Sequence, residues 1–180
     1  MSNAVLLLID LQKSVDHRDW GQRNNRDAEQ KVAALLSHWR AMGWPIIHIR
    51  HDSVEPNSHY RPGQPGHDWK PEAMPLLHET VIGKQTNSAF IGTDLESRLR
   101  SAGWNKLIVC GVSTSNSVET TVRMAGNLGF DVQLVADACF TFGRKDWNGM
   151  WHDAETIHAI SLANLDREYC SVVTSASLLP

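Results

Sequence analysis

Short, β-branched apolar runs alternate with stretches of helically spaced apolar residues along the 180-residue chain, and this alternation constrains its fold more than any other feature. A run that is apolar at every position suits a strand covered on both faces, and strands separated by helices pair in parallel, so the pattern predicts an α/β fold with a helix-covered parallel sheet. The first run covers 4–9. Ala28, Val32, Leu35, Leu36, Trp39 and Met42 then recur at helical spacing, and Gly43 closes that helix before a strand at 45–49. A short strand is expected at 80–82. Thr93 and Glu96 have the spacing of a capping box for a helix over 94–102, closed by Gly103. Next come a strand at 106–110, a helix over 117–128, a strand at 131–135, a helix over 154–165 and a strand at 170–173. The length fits one domain over 1–180.

Between the second and third strands, residues 51–78 are rich in proline and poor in periodicity, which predicts a long irregular excursion of the kind that shapes a site. Seventeen basic side chains against 20 acidic ones leave a net charge of −3 and no basic block, so nucleic acid is not expected as a partner. Cys110, Cys139 and Cys170 lie in or beside apolar runs without metal-ligand spacing, and read as reduced core residues of a cytoplasmic protein. The N-terminal apolar run is only five residues long, Val5 to Ile9, and has no basic leader; it reads as a strand, with no signal peptide and no membrane span.

The stretch LIVCGVSTSNSVETT, from Leu107 to Thr121, has the make-up of a functional turn. A buried strand breaks at Gly111, Ser115 or Asn116 can cap a helix, and Ser117 falls at the helix start, where unpaired backbone N–H groups favour negative charge. A nucleophile there sits beside ready-made donors for an anionic intermediate, although most such turns only connect elements. Open parallel sheets bind ligands beyond the carboxyl ends of their strands. Asp10, Asp52, Ser117 and Asp137 each follow a predicted strand and are expected to face one crevice.

Asp10 in LLLIDLQ, Lys84 in VIGKQTNSAF and Ser117 in GVSTSNSVETT, in this order, resemble the isochorismatase-like hydrolases, also called the cysteine hydrolase superfamily. The resemblance runs from Val5 to about Leu179. It includes the strand-Asp-x-Gln opening, Ser88 to Phe90, the Thr-Asp-Leu helix start, Thr121, the run from Arg123 to Phe130, and Asp137. It implies a three-layer αβα, Rossmann-like fold with a mostly parallel sheet of about six strands. It also implies a triad of Asp, Lys and Cys carried onto Asp10, Lys84 and the position of Ser117, an oxyanion hole from the N–H groups of Ser113 and Ser117, and a cis peptide at Val112–Ser113. Gln12 and Phe90 take positions that relatives use to line the pocket.

The departure is serine where most relatives have the nucleophilic cysteine. A serine hydroxyl is far less acidic than a thiol, whose pKa is about 8.5, and serine nucleophiles usually rely on a histidine or lysine base. Three readings of Ser117 stay open: an engineered replacement, a natural branch with altered chemistry, or a binding protein without turnover. The resemblance favours hydrolysis of an amide C–N bond in a small molecule. The alternative reaction is hydrolysis of an isochorismate-like vinyl ether, in which Asp10 protonates the substrate and no covalent intermediate forms. Asp52 and His59 resemble the metal site of nicotinamidase relatives, but Val54 stands where that pattern has a histidine, so neither metal nor cofactor is expected. Trp20, Trp147 and Trp151 flank loops, where packing or a subunit contact is favoured over stacking on a ligand. Relatives commonly associate, which predicts a homodimer or homotetramer.

Overall fold

The computed structural model describes residues 4–180; the start of the chain, expected to carry no basic leader, falls partly outside them. Six strands form one all-parallel sheet in the order β3-β2-β1-β4-β5-β8: β1 (Val5–Ile9), β2 (Ile46–His51), β3 (Thr80–Lys84), β4 (Lys106–Val112), β5 (Asp131–Phe140) and β8 (Ser171–Val173). A separate antiparallel pair, β6 (Arg144–Lys145) and β7 (Trp151–His152), forms a small hairpin. The helices are α1 (Ala28–Ala41), α2 (Leu95–Ser101), α3 (Glu119–Asn127) and α4 (Ala154–Leu165). Chain progress from β1 to β2 runs one way across the sheet, and progress from β3 to β4, β5 and β8 runs the other. Right-handed crossovers therefore place α1 on one face and α2, α3 and α4 on the opposite face, giving three layers.

The central strand β1 is buried at every position, as its wholly apolar run requires. Its neighbours are β2 and β4, with Ile9 level with Ile49 on one side and Gly111 on the other. The strand order reverses between β1 and β4, so the crevice at their carboxyl ends is the topological switch point of the sheet. Gly43 ends the helix before β2 at φ 63°, as expected.

Several boundaries differ from the sequence expectations, and most extend toward the carboxyl edge. β2 reaches His51, β3 reaches Lys84 and β4 reaches Val112. β5 continues to Phe140 because Val109 pairs with Leu134 but Gly111 pairs with Cys139, so residues bulge from β5 between them. Asn25 Nδ2 donates to the carbonyls of Ala136 and Cys139, at 3.0 and 2.7 Å, and so ties down this bulge. No capping box forms at α2: Glu96 pairs with Arg100, and Asp94 is the N-cap residue. The helix expected from Ser117 instead starts as a π-helical turn, Thr114–Val118, before α3, so Ser115 and Asn116 lie inside the turn and do not cap it. Residues 52–79 contain only short 3-10 turns, Pro65–His67 and Pro71–Ala73, held to the α1 layer by Lys70 with Asp16 and Glu29 and by Arg40 with Glu79.

Candidate active site

Four strands end at one place. The register sets His51 beside Lys84 on β2 and β3, while Asp10 follows β1 and Ser113 follows β4. Asp10 has φ 52°, a left-handed conformation that costs a non-glycine residue about 1–2 kcal/mol and that aspartate tolerates better than most. Its N–H donates to Ile49 O at 3.0 Å and its carbonyl accepts from Gln12 N at 2.8 Å, which hold the bend in place.

Lys84 is almost completely buried, and its Nζ is the hub of the site. It lies 2.7 Å from Asp10 Oδ2, 3.0 Å from Thr86 O, 3.1 Å from His51 Nδ1 and 3.3 Å from Ser117 Oγ. Burying a lysine without such partners costs several kcal/mol, so the surrounding acceptors are what makes the position tolerable. The other carboxylate oxygen, Asp10 Oδ1, is buried and accepts no hydrogen bond from the described residues. It belongs to a residue that lines the cleft above these groups.

Ser117 is set by a turn anchored on several sides. Ser113 O accepts N–H bonds from both Asn116 and Val118, at 3.0 and 3.2 Å. Ser113 Oγ and Ser115 Oγ meet Thr141 Oγ1 at 2.6 and 3.0 Å, and Thr114 Oγ1 meets His158 Nδ1 at 2.9 Å. Thr121 accepts from Ala89 N–H at 3.1 Å, linking α3 to the segment after Lys84. The Val112–Ser113 peptide is cis, and the Ser113 N–H donates to no backbone acceptor among the described residues.

Above these groups lies a cleft of about 240 Å³ lined by Asp10, His51, Tyr60, Ser113, Ser117 and their neighbours. Trp20 also lines it and stacks on Phe142 at 5.3 Å between ring centroids, forming an apolar wall. Asp10 and Glu55 are its acidic lining residues, and no arginine or lysine lines it among the described residues. Burial pushes the His51 imidazole below its usual pKa, with Asp10 opposing and Lys84 adding to the shift. Burial, reinforced by Asp10, pushes the Tyr60 phenol well above its own. Cys110 lies inside β4, and burial pushes its thiol up to about 12, which makes it a structural group.

Asp10, Lys84 and Ser117 therefore converge, and Ser113 and Trp20 line the same cleft, whereas the other sequence candidates lie elsewhere. Gln12 does not line the cleft: its Oε1 accepts from His51 N at 2.7 Å, and its Nε2 donates to the carbonyls of His51 and His67 at 3.1 and 3.0 Å. Phe90 is buried and stacks on Phe130 at 5.8 Å, also outside the cleft lining. Asp137 sits in the β5 bulge, and its carboxylate binds Ser175 N and Oγ at 2.7 and 2.6 Å. Asp52 is held by Arg50 at 2.8 Å and His67 at 2.7 Å instead of facing the crevice. Trp147 and Trp151 are exposed on the β6–β7 hairpin.

His51 and Tyr60 were missed in the sequence; the only signal for His51 was its place at the end of a strand. His59 does not join Asp52 but stacks on His17, near Asp19. The nitrogens of these two histidines and a carboxylate oxygen of Asp19 lie within 4.8 Å of one another, so this partly exposed cluster is the group able to hold a metal among the described residues.

The chain is similar to known proteins over nearly its whole length. The Isochorismatase domain profile matches residues 4–176. The isochorismatase family protein YrdC of Bacillus subtilis (strain 168), itself uncharacterised, is 41% identical over 175 residues, 97% of this chain and 94% of its own. A crystal structure from Chromobacterium violaceum, assigned to the same family, is 63% identical and superposes with a TM-score of 0.97, covering 99% of this chain and 92% of that one. Among relatives with a named activity, a streptothricin hydrolase of Streptomyces noursei is 33% identical over 77% of this chain and 54% of its own, and Nicotinamidase 3 of Arabidopsis thaliana is 28% identical over 90% and 80%.

Proposed function

Because the chain belongs to the isochorismatase family, we propose that it hydrolyses an amide C–N bond in a small uncharged or cationic molecule, with Ser117 at the position of the family's nucleophile. The observation that carries this reading is the bridge made by Lys84 between Asp10 and Ser117, at 2.7 and 3.3 Å. In the proposed first step Ser117 Oγ bonds to the amide carbon while its proton passes to Asp10 Oδ1, the oxygen without a partner. The carbonyl oxygen becomes an oxyanion facing the N–H groups of Ser113 and Ser117. Collapse breaks the C–N bond, the amine leaves with the proton held by Asp10, and water, activated by the same carboxylate, releases the acid and restores Ser117. Lys84 keeps Asp10 in place and counterbalances its charge. No cofactor enters this scheme.

The charge of the cleft supports the choice of substrate. Two acidic side chains and no exposed cation disfavour a substrate with several carboxylates, for which each anion would enter unpaired. Vinyl ether protonation by Asp10 is kept as a second reading, because an oxygen at position 117 is a weaker nucleophile than sulfur and that route needs none. A panel of small amides with four proteins separates the readings. Amide turnover that is lost in Ser117→Ala and Asp10→Asn and retained or raised in Ser117→Cys supports acyl transfer. Activity on an isochorismate-like ether that survives Ser117→Ala but not Asp10→Asn supports protonation instead. Absence of turnover by wild type and Ser117→Cys on both substrate classes counts against both reactions, and ligand binding without turnover then supports a binding protein.

We further infer a homo-oligomer, with Trp147, Met150 and Trp151 on the exposed hairpin as candidate contact residues, and a reducing, cytoplasmic setting consistent with three buried cysteines that form no disulfide. No helix among the described residues is long and apolar enough to cross a membrane.

A further inference from the structure

We propose that His51 is a substrate-binding residue: a neutral imidazole fixed by Lys84 in the tautomer that carries its proton on Nε2, so that it offers one hydrogen-bond donor to an uncharged acceptor atom of the substrate. Gln12 clamps the His51 backbone from both sides, accepting from its N–H and donating to its carbonyl. Tyr60 packs edge-on against the ring, at 5.4 Å and 82°. The imidazole is therefore held between a backbone clamp and an aromatic wall, and it lines the cleft.

Its tautomer follows from the company it keeps. An ammonium group has three protons and no acceptor capacity. Lys84 Nζ has carboxylate, carbonyl and hydroxyl oxygens around it, and its ion pair with Asp10 identifies it as the donor. Four contacts share its three protons, and at 3.1 Å a proton on His51 Nδ1 would set a second donor against the ammonium, so Nδ1 presents its lone pair. Its proton then sits on Nε2, on the far side of the ring from Lys84, where no described residue accepts a hydrogen bond from it. A second proton on the ring would set an imidazolium against Lys84 in a buried setting; burial and Lys84 both oppose that charge, while Asp10 and Asp52 favour it and His67 opposes it.

The cleft-lining residues thus carry complementary singles: an acceptor without a donor at Asp10 Oδ1 and a donor without an acceptor at His51 Nε2. Because the scissile carbonyl faces the Ser113 and Ser117 N–H groups and Asp10 Oδ1 takes the Ser117 proton, the His51 Nε2–H is left for a further uncharged acceptor atom of the substrate. The identity of the ligand rests on the amide reading above; the tautomer does not.

The tautomer is read directly from two-bond ¹H–¹⁵N correlation spectra of the imidazoles in ¹⁵N-labelled protein, with His51 assigned through His51→Gln. The expected result at pH 7 is an unprotonated Nδ1 and a protonated Nε2. A protonated Nδ1, as a neutral Lys84 amine would impose, overturns the inference, and so does an imidazolium. The recognition role is tested on the amide most rapidly turned over in the panel. His51→Phe keeps the aromatic shape without the donor and is expected to raise KM about tenfold with a smaller change in kcat, and His51→Gln is expected to restore part of the loss. An equal loss in both variants confined to kcat, or no loss in either, overturns it. If no amide is turned over, the amide reading fails while the spectra still decide the tautomer.

Discussion

Lys84 and Asp10 form a pair whose members depend on each other, since each is buried and each is the other's nearest opposite charge. Removing the lysine alone, as in Lys84→Met, strands a buried carboxylate and is expected to destabilise the fold by about 3–5 kcal/mol. The double variant Asp10→Asn, Lys84→Met is expected to recover part of that loss, which urea unfolding of the wild type, both single variants and the double variant measures; additive losses would show that the pair is not coupled. Asp10 stands out in the sequence where an apolar run stops, whereas Lys84, preceded by Gly83, stands out only through the family resemblance. His51 does not stand out, because its role depends on the ring edge it turns toward Lys84 and on β2 running two residues past its last wholly apolar position. The backbone contacts of Gln12 are hidden from the sequence for a related reason. Whether an amide side chain lines a pocket or binds backbone depends on where the 52–79 excursion lies, and that path is set by distant ion pairs such as Lys70 with Glu29.

At the scale of elements, the approach of β4 to β1 rests on Gly111. Its φ of 132° is open to glycine alone, and a Cβ there would strike the carbonyl oxygen of Ile9 and lie 2.8 Å from Ile9 N, in the residue just before Asp10. Gly111→Ala is therefore expected to cost about 3 kcal/mol or more, a fall in melting temperature of roughly 6–12 °C for a chain of this size, and to disturb Asp10. Calorimetry beside an activity assay tests both, and an unchanged melting temperature would mean the strand pair yields easily. The same region shows where local pattern stops being informative. Strand residues up to 135 were visible from β-branched runs, but the β5 bulge that carries Asp137 away from the crevice depends on Asn25 bonding its carbonyls from more than a hundred residues away. The π-helical turn at Thr114–Val118 likewise depends on tertiary anchors at Thr141 and His158, which helical periodicity does not encode.

Across the whole molecule, acid sensitivity is expected to centre on Glu29 and Glu79, two carboxylates that tie the excursion and the loop after β1 to α1. Burial alone would push Glu29 and Glu79 up, but hydrogen bonds from Arg23 and Lys70 to the first, and from Arg40, Leu76 N–H and His48 to the second, hold each at about 2. Both pKa values are depressed on folding, so the stability they contribute is complete above about 4.5, the unfolded value, and is lost as pH falls toward 2. Melting temperature is expected to fall across that window, and the fall should be shallower in Glu29→Gln and Glu79→Gln; parallel curves would assign acid sensitivity elsewhere. Light scattering at micromolar concentration tests self-association, and Trp147→Ser is expected to weaken it if the exposed hairpin is the contact. The strand order also bears on how the chain is made. β1 is translated first yet lies at the centre, and its partner on one side, β4, ends at Val112. At ordinary rates of synthesis, roughly 5–20 s pass between the two strands. For that interval a wholly apolar strand has an open edge, so the nascent chain meets its greatest risk of misassociation before any active-site residue beyond Lys84 has been added.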